Sequence, residues 1–170
     1  AEVDDEQVNL TRFPLFFPEK RDFFLENAGQ FIVVATAINS QLADLFFSRR
    51  IGLSDSGDHI PILAGARLTG KVGQNSISMM DVQTADAFGE SGVNYYVARY
   101  SRDVLTRSRI GAIFINKAAT RGGHFNRTYA ADMSYAPHPA MTVSGFLAQT
   151  ESPGVSGDQW GGFLNATWRD

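Results

Sequence analysis

The stretch FNRTYAADMSY, residues 125–135, alternates between apolar and polar side chains over most of its length. Such two-residue alternation is typical of a β-strand with one apolar and one polar face. Arg127 and Ala130 break the pattern, but the remaining positions agree on the same two faces. One face would carry Phe125, Tyr129, Ala131, Met133 and Tyr135, and the other Asn126, Thr128, Asp132 and Ser134.

Similar stretches recur at regular intervals from Pro61 onward and predict an all-β fold. Their lengths suit membrane strands, which need about 9–11 residues. Within 75–84 the alternation changes phase at Met79 and Met80, which predicts a β-bulge. The predicted strands are 62–70, 75–84, 93–102, 108–117, 125–135, 140–150 and 159–169.

The connections between these strands alternate in length. KVGQ, DVLTR and APHP are short, whereas ADAFGESG, AATRGGH and ESPGVSGD are longer. Short turns on one side and long loops on the other are typical of an up-and-down barrel that crosses a membrane. Residues 61–170 are therefore predicted to be an antiparallel up-and-down meander, part of a transmembrane β-barrel. The alternative is a soluble β-sandwich, in which the apolar face would point inward.

Residues 1–60 are predicted to form an N-terminal linker or plug-like segment. RFPLFFPEKRDFFLENAGQF, residues 12–31, combines many phenylalanines with a block of charges. We expect its rings to pack against the barrel and its charges to pair with polar lumen groups, while 31–52 fits either a short helix or a strand. The candidate plug residues are Phe16, Phe17, Glu19, Lys20, Arg21, Asp22, Phe23 and Phe24.

Charged and aromatic residues inside the predicted strands are the candidate functional residues. Charges within barrel strands suit a polar lumen, although those near strand ends can instead reach into headgroups or solvent. Aromatic rings near strand ends suit the girdles at the membrane interfaces. The lumen candidates are Arg67, Asp81, Arg99, Arg109, Asp132 and Arg169, and the girdle candidates are Phe125, Tyr135, Trp160 and Trp168.

Composition narrows the function classes. The net charge of −3 argues against nucleic acid as a partner, because such binding needs an excess of basic residues. The chain has no cysteine, and His59, His124 and His138 lie far apart in the sequence. We therefore predict neither a metal nor a cofactor.

Several stretches together resemble an uncharacterised family of Gram-negative surface proteins. They are NLTRFPLFFPEKRDFFLENAGQF, LFFSRRIGL, PILAGARLTGKVG and NYYVARYSRDVLTRSRIGAIFINK. In that family a module similar to family-9 carbohydrate-binding modules precedes a domain that looks like an outer-membrane β-barrel. The resemblance implies an outer-membrane location, with the lipid bilayer and lipopolysaccharide as partners. It implies no catalytic residues, and the carbohydrate-binding module is absent from this chain.

Family barrels are longer than this chain, so we expect it to be the N-terminal part of a barrel. Its open strand edges would then pair with the remainder of the barrel or with other copies of the chain. The leading hypothesis is a pore-like, transport or surface structural role without catalysis, with a saccharide as a candidate solute.

Two other functions are compatible with the sequence. The main alternative is a secreted or periplasmic β-sandwich that binds glycans through Tyr95, Tyr96, Trp160 and Trp168. A weaker hypothesis is a hydrolase that uses the loop carboxylates Asp55, Asp58 and Asp158.

Overall fold

The structure, a computed structural model, describes residues 19–33, 45–54, 56–157 and 159–168. Seven strands follow one another in a single sheet whose spatial order equals their chain order. Every neighbouring pair is antiparallel, which confirms the predicted all-β antiparallel meander. The strands are β1 Ile62–Val72, β2 Asn75–Thr84, β3 Val93–Val104, β4 Ser108–Ala119, β5 Phe125–His138, β6 Met141–Glu151 and β7 Trp160–Trp168.

The connections define two ends of the sheet. The short ones, 73–74, 105–107 and 139–140, all lie at one end, called here the short-turn end. The longer ones follow β2, β4 and β6 and lie at the opposite, long-loop end. The alternation predicted from the sequence is therefore present in the fold.

The predicted bulge at Met79 and Met80 is absent, and that prediction was wrong. Met79 pairs with Leu68 and Met80 pairs with Arg67 in an unbroken register. The two methionines lie on opposite faces of the sheet. Met80 is apolar because it faces a small core, and Met79 is exposed on the other side. The irregularities lie instead between residues 62 and 64 of β1 and between 135 and 138 of β5.

One face of the sheet, called here the covered face, packs against residues from the N-terminal segment. Residues paired directly across antiparallel strands lie on the same face, so the register assigns every strand position. Phe24 and Phe31 of the N-terminal segment join the covered face in one buried cluster. The strand members of that cluster are Met80, Val82, Val97, Ile113, Ala130 and Ala148. The opposite side is called the open face.

The N-terminal segment contains little regular structure within the described residues. Its α-helix, α1, spans only Asp22–Leu25, because Glu26 is extended and Asn27 is left-handed with φ 53°. A 3-10 turn follows at Ala28–Phe31 and another at Ser48–Arg50. No helix in the described part of the chain is long and apolar enough to cross a membrane.

Candidate functional site

The open face carries the large exposed apolar side chains of the sheet. Leu164 is 69% exposed and Leu147 is 55% exposed, although each lies mid-strand. The register places all such strand residues on this face, apart from Leu63 at the β1 irregularity. They are Leu68, Val72, Ile77, Met79, Tyr100, Ile110, Tyr129, Met133, Tyr135, Leu147, Trp160, Leu164 and Trp168.

The apolar surface of the open face is a band that runs obliquely to the strands. One row of paired residues near the short-turn end passes from Val72 of β1 to polar Asn75 and Arg102. The same row continues through Ile110, Met133 and Leu164, which are apolar. Near the long-loop end the opposite change occurs, since the row containing Met79, Ala98, Phe114 and Tyr129 reaches polar Gln149 in β6 before it ends at Trp160 in β7. Apart from Val72 and Trp160 in the two outermost strands, both borders of the band therefore shift in the same direction across the sheet.

All four girdle candidates lie on the open face. Trp160 and Phe125 lie toward the long-loop end, and the guanidinium carbon of Arg127 is 4.3 Å from the Phe125 ring centroid. Tyr135 and Trp168 lie toward the short-turn end, where the Trp168 ring stacks on His138 at 6.0 Å. The aromatic residues thus flank the band on both sides.

The covered face carries a buried ion pair. Arg99 Nη1 and Nη2 donate to the two carboxylate oxygens of Asp132 at 2.7 and 2.9 Å. Their side chains are 4% and 0% exposed. The pair spans from β3 to β5 across Gly111 of β4, where a Cβ would lie 2.8 Å from both partners. Glycine at position 111 therefore provides the space in which this pair forms.

A second charged group lies on the covered face at the short-turn end. Lys71 Nζ donates to Asp103 at 2.8 Å, and Arg109 Nε donates to its other oxygen at 2.7 Å. These side chains remain partly exposed. One carboxylate therefore bridges two cations that come from β1 and β4.

Arg67 attaches the N-terminal segment to the sheet. Its guanidinium donates to the backbone oxygens of Phe23 and Glu26 at the end of α1 and pairs with the Glu26 carboxylate. The same guanidinium lies 5.5 Å from the Phe23 ring centroid. A Cβ at Gly65 would lie only 3.1 Å from that ring, so glycine allows the phenylalanine to approach β1 closely.

The charges predicted to join the segment to the lumen mostly pair elsewhere. Arg21 binds Glu19 and donates to the backbone oxygens of Ser48 and Ile51. Ser48 Oγ donates to Glu19 at 2.7 Å. Glu19 and Arg21 are two residues apart, so their pairing costs less conformational entropy than a contact with a distant strand would. The expected pairing with sheet residues was therefore wrong for these two charges.

The other plug candidates divide between buried rings and exposed charges. Phe24 is buried, with the Arg21 guanidinium carbon 4.2 Å from its ring centroid, and Phe23 is half-buried. Lys20 and Asp22 are exposed. Phe16 and Phe17 lie outside the described residues.

The lumen candidates do not all share one face. Arg67, Arg99, Arg109 and Asp132 lie on the covered face. Asp81 pairs with Ala66 and Tyr96 on the open face, where it accepts a hydrogen bond from Asn94 Nδ2 at 2.9 Å. The grouping was wrong for Asp81 because the supposed bulge at Met79 and Met80 hid the true phase of β2. Arg169 lies outside the described residues.

Sequence reasoning missed Lys71 and Asp103. The predicted strands ended at 70 and 102, one residue before each of them. The signal was available in the spacing, because Lys71 follows Arg67 by two alternations and Asp103 follows Arg99 in the same way.

We expect the internal packing of the N-terminal segment, in which the Glu19 carboxylate binds Arg21 and Ser48, to be sensitive to acid. Burial raises the pKa of Glu19, but hydrogen bonds from Arg21 and Ser48 outweigh this and lower the pKa from 4.5 to about 2. Because the folded pKa is depressed, the stabilisation is complete above pH 4.5 and is lost as the pH falls toward 2. We expect Glu19→Gln to cost on the order of 2 kcal/mol at neutral pH. Urea unfolding across this pH range should show a flatter profile for the variant.

Asp22→Asn is the matched control, since it removes an exposed carboxylate from the same segment. Its profile should follow that of the unaltered chain. An equal flattening in both variants would contradict the role of Glu19.

Comparisons of the chain with protein-family models, curated proteins and solved structures find no match. Within the described ranges, no three His, Cys, Asp or Glu residues gather closely enough to hold a metal ion. Of the loop carboxylates considered for hydrolysis, Asp55 and Asp158 lie outside the described residues. Asp58 accepts a hydrogen bond from Ser54 Oγ at 3.3 Å.

Proposed function

We propose that the chain is part of an outer-membrane β-barrel of a Gram-negative bacterium, with a passive pore-like, transport or surface structural role. The observation that carries the proposal is the separation of the two faces. Large apolar side chains cover the open face, whereas the covered face carries ion pairs and hydroxyl groups beside the apolar cluster that packs on the N-terminal segment. A lipid-facing exterior and a polar interior are what a membrane barrel requires.

Exposure on this scale is unfavourable in water. Fully burying one leucine side chain is worth roughly 1.5–3 kcal/mol, and soluble monomers rarely expose large contiguous apolar patches. Lipid acyl chains would remove Leu147, Leu164 and their neighbours from water without a second protein layer. The open face is therefore assigned to the bilayer, with lipopolysaccharide at its outer leaflet.

The oblique band gives independent support for a membrane barrel. Strands of such barrels tilt by about 35–45° from the membrane normal. A horizontal slab of lipid then meets successive strands at successively shifted residues. The change from polar Asn75 in β2 to apolar Leu164 in β7 along one row of paired residues has this form, although the same row also contains apolar Val72 in β1.

The strand edges indicate what the sheet pairs with. Within the described residues β1 and β7 each have one strand neighbour, and unpaired strand edges are not tolerated in lipid. We propose that the edges of β1 and β7 pair with the remainder of a barrel or with other copies of the chain.

The mechanism would be passive. The partly exposed Arg109 would face the lumen and select solutes by charge, whereas Arg99 and Asp132 are buried as a pair in the wall. The N-terminal segment lies on the same side of the sheet, held there by Arg67, and so narrows the space through which a solute passes. A saccharide is one candidate solute.

The glycan-binding alternative gains partial support from the exposed rings of Trp160 and Trp168. The other rings proposed for it do not join them as one surface. Tyr95 pairs with Val82 on the covered face, whereas Tyr96 pairs with Asp81 on the open face. Trp160→Ala separates the hypotheses, because only the glycan hypothesis expects it to abolish glycan affinity.

Refolding into membranes tests the proposed function. The urea-unfolded chain is diluted into phosphatidylcholine vesicles, which are floated on a density gradient and probed with protease. We expect the chain to float with the vesicles, to resist protease and to migrate differently on gels before and after heating. A chain that stays monomeric in buffer without detergent, and does not float, would contradict the proposal.

A further inference from the structure

A cavity of about 460 Å³ lies on the covered face at the short-turn end, where the N-terminal segment meets the sheet. Lys71, Arg99 and Arg109 line it, and no carboxylate among the described residues does so. Its other polar groups include Gln30, Ser76 and Ser101. Basic and uncharged donor groups therefore surround this space.

The cations around the cavity exceed their acidic partners. Asp132 pairs with Arg99, and Asp103 is shared between Lys71 and Arg109. Three positive charges thus face two negative ones. A charge excess in a partly enclosed space attracts counter-ions of the opposite sign.

Several donor groups in the cavity remain available. Arg109 engages Asp103 through Nε, and neither of its terminal nitrogens donates a hydrogen bond within the described residues. Lys71 makes one such bond, although an ammonium group can donate three. Ser78 donates to Gln30 Oε1 at 2.7 Å, which leaves the Gln30 amide nitrogen as a further donor.

We propose that this cavity binds the phosphate group of a soluble anionic solute. Phosphate oxygens accept hydrogen bonds from guanidinium, ammonium and hydroxyl groups, and this cavity presents all three. Arg109 would bind the anion through its terminal nitrogens while Nε stays on Asp103, and Lys71 would contribute a second positive charge. Arg99 stays paired with Asp132 and contributes charge from the cavity wall.

This inference deepens the proposed function by naming a solute class, and it rests on that function for its meaning in transport. Binding itself does not depend on membrane insertion. Phosphate affinity can therefore fail while vesicle flotation succeeds, and the reverse result is equally distinguishable.

Calorimetric titration with inorganic phosphate tests the site, using the refolded chain in a maltoside detergent that contains no phosphate. The Lys71→Gln/Arg109→Gln double variant should lose at least tenfold in phosphate affinity. Arg102→Gln is the matched control, because Arg102 lies in the same strand end but pairs with Asn75 and Ile110 on the open face. We expect its affinity to be unchanged.

A variant with the opposite effect guards against loss of folding. Asp103→Asn removes the carboxylate that competes with phosphate for Lys71 and Arg109, so its affinity should rise several-fold. A fall in affinity for this variant would overturn the proposal. The same is true of an unaltered chain without saturable binding, or of an equal loss in Arg102→Gln.

A comparison of vesicles distinguishes a solute from a lipid headgroup. The unaltered chain and the double variant should float equally well with phosphatidylglycerol vesicles if the bound phosphate belongs to a soluble molecule. A preference for these vesicles that disappears in the double variant would overturn the assignment to a solute.

Discussion

Leu164→Lys should abolish insertion of the chain into phospholipid vesicles, whereas Asn165→Lys should leave insertion intact. The two residues are neighbours in β7 and lie on opposite faces. Leu164 is 69% exposed at the centre of the strand, between Trp160 and Trp168. If these tryptophans mark the membrane interfaces, residue 164 lies near the bilayer midplane.

The expected magnitude is large because a lysine at the midplane of a barrel costs about 2–4 kcal/mol. That is a considerable part of the 5–15 kcal/mol by which a typical domain is stable. Asn165 faces the polar side, where a lysine keeps contact with water. Flotation with phosphatidylcholine vesicles, followed by protease digestion, measures both variants under identical conditions.

The same pair of variants separates a membrane barrel from a soluble protein. In water a lysine at the exposed position 164 would be harmless, and the half-buried position 165 would be the more sensitive of the two. The order of effects is therefore reversed between the two hypotheses. If Leu164→Lys inserts into vesicles as well as the unaltered chain does, and Asn165→Lys does not insert, the open face does not contact lipid.

The strands and their order could be predicted from the sequence because alternation is a local property. The alternation within residues 125–135 is sufficient to predict which side chains of β5 lie on each face, and the structure has the same arrangement. The connections added the meander, since antiparallel neighbours can be joined by short turns. The local pattern and the fold agree wherever one side of a strand is consistently polar.

The two-residue pattern does not predict the covered face where the N-terminal segment packs on it. Met80, Val97 and Ile113 are apolar because Phe24 and Phe31 of the N-terminal segment lie against that face. The sequence of the strands alone does not indicate such a contact. Because both sides of β2 carry apolar residues, its pattern wrongly predicts a bulge. The same contact explains why β3 and β4 show no uniformly polar side.

Pairing among charged residues was equally beyond local reasoning. The sequence identifies Arg99 and Asp132 as charges inside strands, but their contact depends on the register of β3, β4 and β5 together. It also depends on Gly111 of β4, which lies between them. The sequence shows this glycine only as a break in the pattern of strand residues and does not indicate its role. The pairing of Glu19 with Arg21 does not depend on strand register, because the two residues are close in the sequence. The prediction nevertheless gave them partners in the sheet.

Asp132→Asn should destabilise the folded chain by roughly 3–5 kcal/mol, the cost of removing one partner from a buried ion pair. The variant leaves the Arg99 guanidinium, 4% exposed, without the carboxylate that accepts both of its hydrogen bonds. Asparagine offers one oxygen and adds two donors, which cannot bond to a guanidinium that has only donors. Urea unfolding of the refolded chain in maltoside detergent measures the loss.

Two controls identify the cause of that loss. Ser144→Ala removes a buried hydroxyl from the same face, one that has no hydrogen-bond partner among the described residues, so we expect a change below about 1 kcal/mol. In the Arg99→Met/Asp132→Asn double variant no charge is left unpaired, and much of the stability should return, because an apolar replacement of a buried pair is often neutral. A double variant less stable than Asp132→Asn alone would show that Arg99 stabilises the sheet through contacts other than this pair.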